Sequence, residues 1–132
     1  MSQENVELAH RYGDALNARE VPDGLLTPGF VMVNADTAVT AGTFHGAEGV
    51  IQWTRDILDL VEEDSPFFIQ EIVAHQDDFV VATVGIEGTA QRSKMPISFR
   101  WAAAFWCSDG RLDRVAGYLQ LRDAIKAVGL EE

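Results

Sequence analysis

The stretch Thr43–Trp53, TFHGAEGVIQW, indicates where the long helix begins, because its two glycines, three residues apart, form a turn that opens a predicted helix. Such a turn presents backbone N–H groups that can bind a phosphate. No Lys followed by Ser or Thr comes after Gly49, and no strand is predicted to lead into Gly46. The carboxylate of Glu48 lies in the first helical turn, where it complements the helix dipole and repels an anion. We therefore predict a turn and a helix start rather than a phosphate site.

Outward from this stretch, hydrophobic spacing divides the chain into helices and strands. The predicted elements, in order, are a helix over 3–17, a short helical turn over 23–26, a strand over 30–33, a helix over 47–62, strands over 66–74, 79–91, 96–107 and 111–121, and a helix over 122–128. Ser108-Asp109-Gly110 predicts a hairpin, and Gly129 suits a helix C-terminal cap. Four consecutive strands without βαβ alternation indicate an α+β fold, with helices on one face of an antiparallel sheet.

Length and charge limit the classes of function. A chain of 132 residues predicts a single domain spanning 1–132. The net charge of −11, from 21 acidic and 10 basic residues, disfavours nucleic acid and anionic membranes as partners. No apolar run approaches the roughly 20 residues that cross a bilayer. The polar stretch MSQENVELAHRYGD carries neither the basic nor the continuous apolar region that export requires, so we expect no export signal. We expect a soluble, cytoplasmic protein.

Candidates for metal or nucleophilic chemistry are few. His10, His45 and His75 lie far apart in the sequence, and none pairs at ligand spacing with another His or Cys, so we predict no metal site and no cofactor. The lone Cys107 cannot form an intramolecular disulfide, and at the end of an apolar strand it is typical of a small buried hydrophobe. A Ser–His–Asp or Cys–His arrangement stays open, because such groups meet only in the fold.

Both faces of the predicted strand 96–107 are apolar. One face carries Trp101, Ala103 and Phe105, and the other carries Ala102, Ala104 and Trp106. With helices on one face only, water would cover the second face, which should then be polar. Ala116 and Tyr118 extend the apolar patch, so something must cover it, and the simplest cover is a second copy of the chain. We expect a homodimer through the outer face of the sheet.

Four segments together resemble a known family. FHGAEGVIQW, residues 44–53, resembles the aromatic-x-G-x-x-G-V segment that opens the long helix in SnoaL-like polyketide cyclases, within the wider group with the nuclear-transport-factor-2 fold (NTF2-like). RYGDALNARE in the first helix, FWCSDGRLDRVAGYL in the last hairpin and RDAIKAVGL at the end agree in order. The resemblance covers essentially the whole chain. It implies a cone, in which a strongly bent antiparallel sheet wraps around a pocket that the helices close.

The resemblance also implies which residues carry chemistry. Tyr12 matches the tyrosine that donates a hydrogen bond to the substrate oxygen in ketosteroid isomerases. Their proton-abstracting aspartate falls at Asn34, and their assisting aspartic acid falls near Ala103, so neither can transfer a proton here. The charged set of limonene-epoxide hydrolases falls on apolar residues and a glycine. Asp36, two residues beyond Asn34, is the nearest carboxylate that could act as a base.

The pocket implied by the resemblance and the strand period is mostly apolar, with few polar groups. The predicted catalytic residues are Tyr12, Asn34 and Asp36, and the predicted ligand-binding residues are Met32, Trp53, Val84, Ile86, Trp101, Ala103, Phe105 and Leu119. This composition suits a small, mostly apolar molecule. Two functions stay open: cofactor-free isomerisation, cyclisation or hydration, and a ligand-binding or dimeric scaffold domain without chemistry. In the second, bulky side chains such as Trp53 and Phe105 can simply fill the cavity.

Overall fold

The computed structural model describes residues 2–34, 42–58, 61–62 and 66–130. Within these ranges the elements, in chain order, are α1 Ser2–Ala18, β1 Leu26–Asn34, β2 Gly42–His45, α2 Gly46–Leu58, β3 Phe67–Gln76, β4 Phe79–Thr89, β5 Pro96–Ser108, β6 Arg111–Tyr118 and α3 Leu121–Ala127. The strands form one sheet in the order β2-β1-β6-β5-β4-β3. The predicted α+β class is confirmed.

The second half of the chain is the predicted meander. β3, β4, β5 and β6 each pair antiparallel with the next strand, while β1 runs parallel to β6, so the sheet is mixed at that one pairing. Asp109 and Gly110 have φ angles of 52° and 76°, which form the two-residue turn of the predicted hairpin between β5 and β6. β3 shifts register twice against β4, and such bulges bend a sheet.

Gly46 and Gly49 have structural roles, although the strand before them was not predicted. β2 ends at His45 and leads directly into α2, which corrects the expectation that no strand precedes Gly46. Gly46 has a φ of 65°, and this left-handed conformation turns the chain from β2 into α2. A Cβ at Gly49 would lie 2.8 Å from the backbone carbonyl carbon of Phe44, so only glycine allows this approach. Glu48 lies in the first turn of α2 as predicted.

The helical turn predicted over 23–26 and the helix end predicted at 62 both differ from the structure. The residues at 23–26 do not form a helical turn, because Gly24 has a φ of 85° and Leu26 already begins β1. α2 ends before the predicted position 62, because residues 61 and 62 bond to the backbone at the end of β4 instead. Val61 forms an isolated antiparallel bridge with Ala90, and the backbone N–H of Glu62 donates to the carbonyl of Thr89 over 2.9 Å.

Two asparagines fix α1 against the edge strand β3. Asn5 Nδ2 donates to the backbone carbonyls of Gln76 and Asp77 over 2.9 and 2.8 Å. Asn17 donates to the carbonyl of Phe67 over 2.9 Å and accepts from its N–H over 2.8 Å. The Asn17 amide therefore occupies the hydrogen-bonding place of a neighbouring strand at the first residue of β3.

Each face of the sheet has its own hydrophobic cluster. The inner cluster joins α1 and α2 to Trp101, Ala103 and Phe105 of β5, and the outer cluster joins α3 to Ala102 and Ala104, so the predicted alternation of β5 is confirmed. The physical reason for expecting a second copy is corrected by this packing. α3 of the same chain covers the outer face, and Ala102 and Ala104 are already buried in one copy.

α3 ends at the predicted glycine cap. Gly129 has a φ of 88°, and its N–H donates to the carbonyl of Lys126 over 3.0 Å. The N–H of Leu130 reaches the carbonyl of Ile125 over 3.1 Å. These two bonds satisfy carbonyls that a helix end otherwise leaves open, and the side chain of Leu130 packs against the outer cluster. In the described part of the chain, no helix is both long and apolar enough to cross a membrane.

Candidate functional site

A small cavity lies between the inner face of the sheet and helices α1 and α2. About 290 Å³ of space lies between atoms in and around it, of which the centre of a water molecule can reach about 20 Å³. The described lining residues are Tyr12, Leu16, Met32, Asn34, Trp53, Phe67, Trp101, Ala103, Phe105, Val115 and Gly117. The reachable volume is that of about one water molecule. Packed side chains therefore fill most of the space between sheet and helices.

Tyr12 enters the cavity from α1. It is 2% exposed, and its ring lies 6.3 Å from that of Phe30 and 5.8 Å from that of Phe105, the latter edge-on. Its hydroxyl has no hydrogen-bond partner among the described residues. Burial raises the pKa of Tyr12 far above its ordinary value, because the phenolate would lose its hydration. At neutral pH the side chain is thus a protonated donor.

Trp53 enters the same cavity from α2. It is 3% exposed, and its ring lies edge-on to that of Trp101 with centroids 6.4 Å apart. In the described ranges the indole Nε1 has no hydrogen-bond partner either. An indole N–H donates and cannot accept. Two buried donors with no protein acceptor in the described chain therefore line one cavity.

Asn34 is the last residue of β1 and is 3% exposed. It lies opposite Gly117 of β6, and a Cβ at that glycine would come within 2.7 Å of Asn34 Oδ1. The same Cβ would lie 3.5 Å from Trp101 Nε1. Glycine at 117 therefore leaves the space in which the amide of Asn34 lies. Met32, two residues earlier on the same strand, also lines the cavity.

Comparison with protein families assigns the chain. The model of the SnoaL-like domain matches residues 9–115. This chain belongs to the SnoaL-like family. The match confirms the resemblance predicted from the glycine-rich segment and the last hairpin. No curated protein matches the sequence of this SnoaL-like domain.

Solved structures share the fold of this SnoaL-like domain. A hypothetical protein with a ketosteroid isomerase-like fold from Catenulispora acidiphila, in complex with trimethylamine, is 16% identical with a TM-score of 0.69, over 94% of this chain and 93% of that one. A candidate SnoaL-like polyketide cyclase from Jannaschia sp. CCS1 is 17% identical with a TM-score of 0.69, over 100% and 96%. An NTF2-like protein of unknown function from Burkholderia pseudomallei is 17% identical with a TM-score of 0.69, over 98% and 99%. At these identities the likeness shows the NTF2-like fold alone.

The structure brings most of the predicted site residues of the SnoaL-like domain together. Those that line the cavity are Tyr12, Met32, Asn34, Trp53, Trp101, Ala103 and Phe105. Val84 and Ile86 of β4 lie in the inner hydrophobic cluster but not in the cavity wall. The predicted inward position of Leu119 is corrected, because β6 ends at Tyr118 and Leu119 is 49% exposed beyond it. Asp36 lies outside the described residues.

Four cavity residues of the SnoaL-like domain were not predicted, namely Leu16, Phe67, Val115 and Gly117. Leu16 lies one helical turn after Tyr12, and the alternation of β6 places Val115 and Gly117 on one face, so both signals are present in the sequence. Phe67 is the first residue of β3, and no local pattern indicates that it approaches α1.

The described walls contain no charged residue. None of the described lining residues is Asp, Glu, Lys, Arg or His. Within the described ranges, no group of three or more His, Cys, Asp or Glu is placed to hold a metal ion. Burial, with a smaller contribution from Asp78, raises the pKa of the half-buried Cys107 to about 11, so its thiol stays protonated and poorly nucleophilic at neutral pH. The cavity of the SnoaL-like domain can therefore donate hydrogen bonds, while a general base must come from elsewhere.

Proposed function

We propose that this SnoaL-like domain binds a small, mostly apolar molecule in the cavity, and that Tyr12 donates a hydrogen bond to an oxygen of that molecule. The observation that carries the proposal is the buried Tyr12 hydroxyl, which lines the cavity and has no partner among the described residues. Buried polar groups in native proteins nearly always have a hydrogen-bond partner, and a buried donor left without one costs about 1–3 kcal/mol. A ligand oxygen at this point would recover that free energy.

The remaining walls support the same proposal. They are largely aromatic and aliphatic, and such surfaces hold a poorly soluble ligand while a few polar groups orient it. The Catenulispora acidiphila protein of the same fold forms a complex with a small molecule, trimethylamine. The centre of a water molecule can reach only about 20 Å³ of the cavity, so a ligand larger than water requires the side chains of the wall to move.

Cofactor-free acid–base catalysis in this cavity would need a base in addition. The amide of Asn34 can orient a ligand or a water molecule but cannot titrate, and buried Tyr12 keeps its proton. We propose Asp36 for that role if the domain is an enzyme, with Tyr12 stabilising the charge that develops on the substrate oxygen. The alternative is binding without chemistry, which needs only the described residues.

A ligand screen by thermal shift and NMR titration tests the proposal. A ligand of the cavity should raise the melting temperature of the wild type, and Tyr12→Phe should weaken its binding by about tenfold, since one hydrogen bond is lost. Tyr118→Phe is the matched control, because it removes the same atom from the outer face of the sheet. Equal effects of the two substitutions would contradict the proposal. If a hit is turned over, Tyr12→Phe should lower kcat by roughly 100-fold, and Asp36→Asn should abolish activity.

We also propose that two copies associate through the outer face of the sheet, beside α3. Half-buried apolar side chains there, among them Trp106 and Tyr118, support this. Among the described residues, however, Met95 and Leu119 are the strongly exposed large hydrophobics, and both lie outside the outer cluster. Light scattering decides the point, because a dimer should have about twice the chain mass of 14.5 kDa. A mass of 14.5 kDa would exclude the dimer.

A further inference from the structure

We propose that the indole N–H of Trp53 is a second hydrogen-bond donor of the ligand site, and that it restricts the site to ligands with an uncharged acceptor group. The inference rests on the proposed function and names the chemistry of the ligand. The side chain of Trp53 is only 3% exposed and lines the same cavity as Tyr12. Its indole Nε1 has no hydrogen-bond partner in the described chain. Because this group only donates, the ligand atom beside it must accept.

The absence of charge in the described walls selects between acceptors. A carboxylate is an acceptor, but none of the described lining residues is a Lys, Arg or His that could neutralise it. Burying an ion without a counter-charge costs much more than burying a hydrogen-bonded carbonyl. The desolvation that keeps the proton on Tyr12 acts on any other anion in this space. A ketone, aldehyde, ester or ether oxygen meets both requirements.

A cation held by aromatic rings is the competing ligand class. The rings of Tyr12, Trp53, Phe67, Trp101 and Phe105 line the cavity, and aromatic faces attract alkylammonium ions. An alkylammonium has no acceptor, however, and would leave both buried donors unpaired. The described walls also have no Asp or Glu to neutralise it. We therefore favour the neutral acceptor and treat the ammonium as an outcome of the test.

Four probes with one ring and different head groups make the test. Cyclohexanone carries a neutral acceptor, methylenecyclohexane has the same shape with CH₂ in place of the oxygen, and cyclohexanecarboxylate and cyclohexylammonium carry the two charges. The chain has three tryptophans, Trp53, Trp101 and Trp106, so proton–nitrogen NMR gives three indole signals, which Trp53→Phe and Trp106→Phe assign. Cyclohexanone should move the Trp53 Nε1–H signal downfield, and methylenecyclohexane should bind without that shift. The two ions should bind at least about tenfold more weakly than cyclohexanone.

For each probe, the Kd of a variant is divided by the Kd of the wild type. This ratio cancels the differences in water solubility between the probes. Tyr12→Phe and Trp53→Phe should each raise the Kd of cyclohexanone by about tenfold more than they raise that of methylenecyclohexane. Trp106→Phe is the matched control on the outer face and should change neither Kd. The downfield shift is measured on the wild type, so it tests the inference even if Trp53→Phe folds poorly.

The outcomes separate the inference from the proposed function. If Trp53→Phe weakens the ketone and the hydrocarbon equally, and the Trp53 signal does not move downfield, the inference fails while binding in the cavity stands. Tighter binding of cyclohexylammonium or cyclohexanecarboxylate than of cyclohexanone also overturns the inference. If none of the four probes perturbs a signal of a cavity residue, the proposed function fails together with the inference.

Discussion

The surroundings of Tyr12 keep its hydroxyl protonated. A phenolate on this side chain would exchange hydration for the rings of Phe30 and Phe105, and the described residues offer it no donor. The pKa of Tyr12 is therefore raised in the folded protein, while in the unfolded chain it keeps its ordinary value of 10.0. Above about pH 10 the unfolded chain releases a proton that the folded protein retains, so unfolding becomes more favourable as the pH rises.

Tyr12→Phe should remove this dependence. Near pH 8 the variant should match the wild type within about 1 kcal/mol or exceed it slightly, because the described structure gives the hydroxyl no hydrogen bond to lose. Between about pH 10 and 11 the wild type should lose up to about 1.4 kcal/mol more than the variant. Urea unfolding of the wild type and the variant near pH 8, pH 10 and pH 11 measures the difference in their free energies of unfolding. A variant that is much less stable than the wild type near pH 8 would show that the hydroxyl has a protein partner.

The helix α1 was predictable as an element, but its anchors were not. The spacing of its apolar residues predicts a helix over 3–17, and the structure has Ser2–Ala18. The partners of Asn5 and Asn17 lie 71 and 50 residues away in the chain, and no local pattern indicates them. β2 was missed for a similar reason, because Gly42–His45 has four mostly exposed residues and no apolar alternation. Its strand conformation comes from pairing with β1.

Asn17→Ala should weaken the attachment of α1 to the first residue of β3. Two hydrogen bonds to the backbone of Phe67 are lost together, so we expect the free energy of unfolding to fall by about 1–3 kcal/mol. Gln52→Ala is the control, because Gln52 bonds to the exposed carboxylate of Asp56 within its own helix, where such pairs contribute about 0.5 kcal/mol or less. Chemical denaturation measures both variants. Equal losses would mean that the Asn17 bonds do not hold α1 to the sheet.

The packing of the whole domain explains which predictions succeeded. Apart from β2 and the helical turn wrongly predicted over 23–26, the order of elements follows from the sequence, as do the two apolar faces of β5. Together with the glycine-rich segment they are sufficient for the fold and for seven of the cavity residues. What covers the outer face did not follow, because α3 has seven residues and its docking depends on tertiary contacts. Leu119 was misplaced for the same reason, since the chain leaves β6 at Tyr118 in order to reach α3.

Ala124→Asp tests whether α3 shields the outer face. Ala124 is fully buried between α3 and the sheet, so a carboxylate there would be unpaired in an apolar cluster, and undocking of the helix would relieve it. The undocked face would expose Ala102, Ala104 and Val81, and apolar patches of this kind associate. We expect a loss of stability of roughly 1–3 kcal/mol and a larger species than the wild type in light scattering. Ala127→Asp places the same charge on the exposed end of the same helix and should leave the mass unchanged. An unchanged mass and stability in Ala124→Asp would show that α3 is not what keeps the outer face covered.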